Sequence, residues 1–199
     1  MSQHLLFQPV SPFHINQGFY DDNACVSTDG QNRVITKTGN FCPVGFKSLY
    51  ADGRHGALDL HATHGQEVYC AQKGRVYKID TNPKSGLDVR VESTVGGRRI
   101  RHIYEHLLGY QAKVGDEIET GQLIGWADNT GYSSGDHLHF QVEEWQGGKW
   151  VKIDPEPLLS PMFAKDVLKM ENTIKYLTEQ VALLADRLAA YLRTKAVAK

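Results

Sequence analysis

The chain has 199 residues, 41% of them hydrophobic and 23% charged, with a formal charge of -1 at pH 7. That length allows one good-sized domain with a buried core plus an appendage. The near-neutral balance excludes wholesale nucleic-acid binding, and no apolar run approaches the length of a membrane span.

The N-terminus, MSQHLLFQPVSPF, lacks a basic start followed by a long apolar stretch, so no secretory signal is visible. The expectation is a chain made in a cytosol that reaches any external target by another route. Residues 1–50 are rich in turn formers (Pro9, Pro12, Gly18, Asp29-Gly30, Gly39-Asn40, Pro43), which predicts short strands and long loops. Cys25 and Cys42 flank a polar stretch there and could pair in an oxidising compartment. Three cysteines with no CxxC spacing favour free thiols instead, and Cys70, in an apolar alternating run, is expected in the core.

From about Ala57 to Trp150 the pattern is all-β. EVYCAQKGRVYKI and LDVRVEST alternate, RRIRHIYEHL continues as another strand, and KVGDEIETGQLIGWA reads as a hairpin-like unit. DNTGYSSGD is a dense turn, and HLHFQVEEW is a strand ending at Gly147-Gly148. Short strands at regular spacing predict an antiparallel sandwich or open barrel-like sheet over residues 1–157, with its core at about 50–145. After the segment Asp154–Pro157 the character changes. Residues 158–199 predict an amphipathic helix, with apolar positions at Val167, Met170, Ile174, Leu177, Val181, Leu184, Leu188 and Tyr191. Steps alternating three and four make a heptad seam on a helix roughly 50 Å long. Such a stripe must be buried, so homo-oligomerisation through a coiled coil is expected; folding back onto the domain is the competing arrangement. From Phe163 onward seven basic residues stand against four acidic ones, which fits a solvated helix face.

The chemistry lies in three strings, RHGALD, IYEHL and GDHLHF, which supply His55, Asp59, His106, His137 and His139. In the last string alternation puts His137, His139 and Gln141 on one face and Leu138, Phe140 and Val142 on the other. His55 and Asp59 would lie about 13 Å apart on a straight strand, too far to share an ion, so a bend is required between them and Gly56 permits one. Strand parity puts Tyr104 and His106 on one face. His61 has the parity of Asp59 and could replace it as a ligand, but a surface or packing role is expected for it. His4, His14, His64 and His102 are expected in surface, supporting or packing roles. The set can hold one zinc ion with a position open for water and still leave two imidazoles for proton transfer or oxyanion binding.

These strings resemble the lysostaphin/LytM-type zinc endopeptidases that cleave peptidoglycan cross-links. That family carries His-x-x-x-Asp, Tyr-x-His-Leu and His-x-His in this order. Here they read His55-Gly-Ala-Leu-Asp59, Tyr104-Glu-His106-Leu107 and His137-Leu-His139. The resemblance implies His55, Asp59 and His139 as zinc ligands, one zinc per chain, and His106 and His137 as the catalytic pair. Tyr104 and Tyr132 are expected either to line a substrate groove or to pack within the β-sheet. It also implies a peptidoglycan peptide as substrate. Without a visible signal, the fitting source is a phage-type lysin or virion-borne enzyme. Ala57 and Asp136 depart from residues common in the family, which bears on groove shape rather than on the metal. Two other functions compete: a wall-binding module with a vestigial metal site, against which all five positions stand, and a biotinyl- or lipoyl-type carrier, for which KVGDEIETGQLIG lacks an acceptor lysine.

Overall fold

The computed structural model describes residues 5–19, 25–28, 34–36 and 55–197. In chain order the strands are β1 (Leu6–Gln8), β2 (Ile15–Gln17), β3 (Cys25–Thr28), β4 (Val34–Thr36), β5 (Leu58–His61), β6 (Glu67–Tyr69), β7 (Gly74–Asn82), β8 (Gly86–Val95), β9 (Arg98–Tyr110), β10 (Glu117–Ile118), β11 (Leu123–Ala127), β12 (His137–Gln146), β13 (Lys149–Ile153) and β14 (Leu159–Phe163). One helix, α1, spans Ala164–Val197. Ten strands form a single antiparallel sheet with the path β10-β7-β8-β9-β12-β5-β2; β11 pairs with β6 and β9, and β13 with β12. The sheet is open rather than closed into a barrel. β1 and β14 form a separate parallel pair, and β3 and β4 a hairpin.

Alternation decides which side of the sheet is core. Val89 and Val91 on β8, Ile100 and Tyr104 on β9, and Leu138, Phe140 and Val142 on β12 are all buried in one cluster. Polar residues share that side only where they satisfy one another. His102 Nε2 lies 2.8 Å from Ser93 Oγ, its Nδ1 lies 2.7 Å from the Tyr104 hydroxyl, and that oxygen accepts the Ala71 N–H at 2.8 Å. Burial keeps the His102 imidazole neutral, with its pKa lowered to about 3. Cys70 is a fully buried thiol, as its apolar run implies, and burial pushes its pKa up to about 12. Cys42 and His4 lie outside the described residues.

The C-terminal segment departs from a plain helix. Residues 159–163 add the strand β14, whose Leu159 joins the core, and the helix starts only at Ala164. Beyond Val167, which is 9% exposed, the heptad stripe stands open: Met170, Ile174, Leu177, Val181, Leu184 and Leu188 are each at least half exposed. The helix does not fold back onto its own sheet. No helix among the described residues is long and apolar enough to cross a membrane.

Candidate metal centre and active site

β5 and β12 are neighbours, and their register sets Asp59 opposite His139 and His61 opposite His137. Directly paired residues share a face, so these four side chains leave the sheet together. His55 precedes β5 in irregular backbone, as the distance argument requires, and its ring turns back over Asp59. The three strings thereby meet. His55 Nε2 lies 3.1 Å from Asp59 Oδ1 and 3.3 Å from His139 Nδ1, and His139 Nδ1 lies 2.8 Å from the same carboxylate oxygen. His106 and His137 pack alongside, with ring centroids 4.8 Å apart, and His106 is 5.7 Å from His139.

His106 reaches this cluster through a break in alternation. Between Tyr104 and Leu107 the β8–β9 register shifts by one residue, and His106 takes a left-handed φ of 63°. Such a bulge re-aims the side chains around it. Tyr104 and His106 therefore do not share a face. Tyr104 is fully buried, so the expectation that it lines the groove is corrected: its hydroxyl serves the core network instead. Tyr132, in the loop before β12, is half-buried, with its N–H bound to the Lys84 carbonyl.

Backbone carbonyls fix the imidazole tautomers. A carbonyl only accepts, so His55 Nδ1 donates to Gly18 (2.9 Å), His106 Nδ1 to Thr130 (2.7 Å) and His137 Nδ1 to Gly135 (2.8 Å). Each ring then presents Nε2 as a lone pair. The remaining ring, His139, aims Nδ1 at Asp59 and sets Nε2 3.9 Å from Glu105 Oε2. Burial alone would raise the Asp59 pKa, but the His139 and His55 rings beside it hold it well below the usual carboxylate range. Burial opposes charge on His139, and the Asp59 carboxylate overrides it and raises that pKa. Burial, then the neighbouring His139 and His137 rings, lowers the His106 pKa to about 4.

The donor set fits a zinc ion. Two imidazole nitrogens and a carboxylate oxygen converge on one point with almost no solvent access, and aiming lone pairs at one another is unfavourable without a cation between them. A second triad, His106, His137 and His139, abuts it through the shared His139. The other histidines fall elsewhere. His61 is exposed beside His14, His64 pairs with Asp128 at 2.7 Å, and His102 is in the core. Glu105 and the three carbonyls escaped the sequence reading. Glu105 stands inside IYEHL and could have been found by pairing β9 with β12; the carbonyls leave no trace in side-chain identity.

An open antiparallel sheet carrying this histidine–aspartate cluster is a metallopeptidase arrangement, and comparison with known proteins agrees. Residues 53–155, more than half of the chain, match peptidase family M23, and the chain belongs to that family. It is 31% identical over 134 residues to the glycyl-glycine endopeptidase ALE-1 of Staphylococcus capitis, covering 66% of this chain and 36% of that protein. It is 33% identical over 108 residues to lysostaphin of Staphylococcus simulans, covering 54% of this chain and 22% of that protein. The chain thus spans about a third or less of these relatives. A zinc-containing peptidase from Vibrio cholerae shares the fold, with a TM-score of 0.54 at 22% identity over 80% of this chain and 41% of that one.

Proposed function

We propose that the chain is a zinc-dependent endopeptidase that hydrolyses peptide cross-links of bacterial peptidoglycan. One zinc is held by His55, Asp59 and His139, and His106 and His137 are the catalytic pair. The observation that carries this reading is the convergence of His55 Nε2, Asp59 Oδ1 and His139 Nδ1 within 3.3 Å of one another, with two more imidazoles packed beside them. Bound zinc supplies Lewis acidity and a water acidic enough to ionise near neutral pH. His106, neutral above about pH 4, offers Nε2 as the base that takes a proton from the attacking water. His137 stands on the other side of the pair; with a proton on Nε2 it donates to the oxyanion or to the departing amine. Tyr132 flanks the groove from the loop before β12.

The relative named as a glycyl-glycine endopeptidase favours a peptide cross-link of the wall as substrate. Residues 1–157 form the peptidase unit and 158–199 the appendage. The exposed heptad stripe of α1 pairs with further copies of itself, so the enzyme is an oligomer.

The test combines zinc analysis with zymography on purified murein. His139→Ala is expected to lose both metal and lysis, and His106→Ala to keep zinc and lose lysis by about two to four orders of magnitude. Metal-free wild-type protein with full lytic activity overturns the reading, and an active His106→Ala variant removes that residue from it.

A further inference from the structure

The sheet face that carries the histidines continues past them. Along β12 the residues on this face are His137, His139, Gln141, Glu143 and Trp145, with no shift in register. Their partners on β9 include Glu105 and Arg101, and on β13 Trp150 stands opposite Trp145. At the far end these side chains stack. The Trp145 and Trp150 rings lie 5.2 Å apart at 64°. The Arg99 guanidinium sits 5.3 Å from Trp145 and 5.4 Å from Trp150, and Arg101 lies 3.9 Å over Trp150 and 4.2 Å over Tyr77. Glu92 accepts from Arg99 at 2.7 Å and from Arg101 at 3.0 Å.

The main core cluster lies on the opposite face with Ile100 and Val142 and does not include this assembly. Trp145 is 40% exposed and the Arg99 side chain 50%. Trp, Tyr and Arg gathered on an open surface have the composition of a binding hot spot. Charge decides what kind of ligand fits. The Glu92 carboxylate sits between Arg99 and Arg101, and on the same face Glu143 stands opposite Lys152. A patch so balanced has little pull on carboxylate-rich peptide. It suits a neutral polyhydroxylated ring, whose C–H face lies on an indole while its hydroxyls meet guanidinium and carboxylate.

Distance agrees. Six residues of β12 separate His139 from Trp145, or about 20 Å. A peptide of about six residues, extended at 3.3–3.6 Å each, covers the same distance of about 20 Å. That is the class of linker that joins sugar to cross-link in peptidoglycan.

We propose that Trp145, Trp150 and Arg99 form a glycan subsite, which seats a sugar of the wall polymer while its stem peptide runs along β12 past Glu143 to the histidines. The proposal rests on the peptidase reading for the identity of the polymer. It is tested with the whole chain and with murein glycan strands stripped of peptide by an amidase, whose binding is followed by isothermal titration. Wild type is expected to bind the stripped strands. Trp145→Ala and Arg99→Ala should each weaken binding about tenfold, while Trp145→Phe keeps most of it. Thermal melting of each variant accompanies the titration. Absence of wild-type binding overturns the proposal, as does equal binding by Trp145→Ala, or losses in all three variants that follow their melting temperatures. Zymography on intact murein judges the peptidase reading separately: lysis without glycan binding sinks only the subsite, and glycan binding without lysis sinks only the peptidase.

Discussion

Gly131 and Gly86 touch where no side chain could stand. A Cβ on Gly131 would lie 2.1 Å from the Gly86 nitrogen, and both residues hold a positive φ. The contact presses the loop after β11 onto the start of β8 and brings the Thr130 carbonyl to His106 Nδ1. The two glycines are thus an indirect support for a tautomer. Gly131→Ala is expected to lower the melting temperature through a left-handed alanine and a backbone clash, by about 1–3 kcal/mol of stability. It should also reduce lysis beyond that loss, because the displaced carbonyl no longer orients His106. Melting curves and murein turnover on the same preparation check this, and unaltered turnover would separate the loop from the site.

Among the elements, β12 was the most legible. Its alternation alone separated Leu138, Phe140 and Val142, which entered the core, from His137 and His139, which left it. The requirement for a bend between His55 and Asp59 was equally readable, since strand geometry forbids the straight alternative. β9 was not, because a bulge has no composition signature: nothing in IYEHL shows that the period of two fails at His106. Tyr104 was misplaced for that reason alone. The helix shows the same division. Its heptad period and its existence were plain, but β14 before it was hidden, because pairing with β1 brings together residues far apart in the chain. The exposed stripe yields a prediction at this level. Replacing Ile174 and Leu177 with Asp should reduce the protein to monomers by sedimentation velocity while leaving strand circular dichroism intact. An unchanged sedimentation coefficient in the variant, or a monomeric wild type, would dismiss the coiled coil.

For the whole molecule two buried imidazoles, His102 and His106, lower stability in acid, while His139, its pKa raised by Asp59, works in the opposite direction. His102 and His106 have pKa values lowered by burial to about 3 and about 4, against 6.5 in an unfolded chain. Between those values the unfolded chain binds protons that the folded one refuses, so stability rises with pH across this window. It is fully present above about pH 6.5 and falls as pH drops towards 4 and then 3. Asp59, whose carboxyl is depressed, adds a loss in the same direction at still lower pH. Urea unfolding at pH 7 and pH 4.5 is expected to differ by a few kcal/mol for the wild type, and by less for His102→Gln. Equal differences for both proteins would mean that the core imidazole plays no part.

The left-handed turn at His106 has a further consequence. Glycine sits in that conformation without the steric penalty that histidine carries there, roughly 1 kcal/mol. Selection for a sturdier fold and selection for turnover therefore pull this position in opposite directions. A descendant of this gene no longer required to cut anything could exchange the imidazole for a small residue and gain stability by doing so.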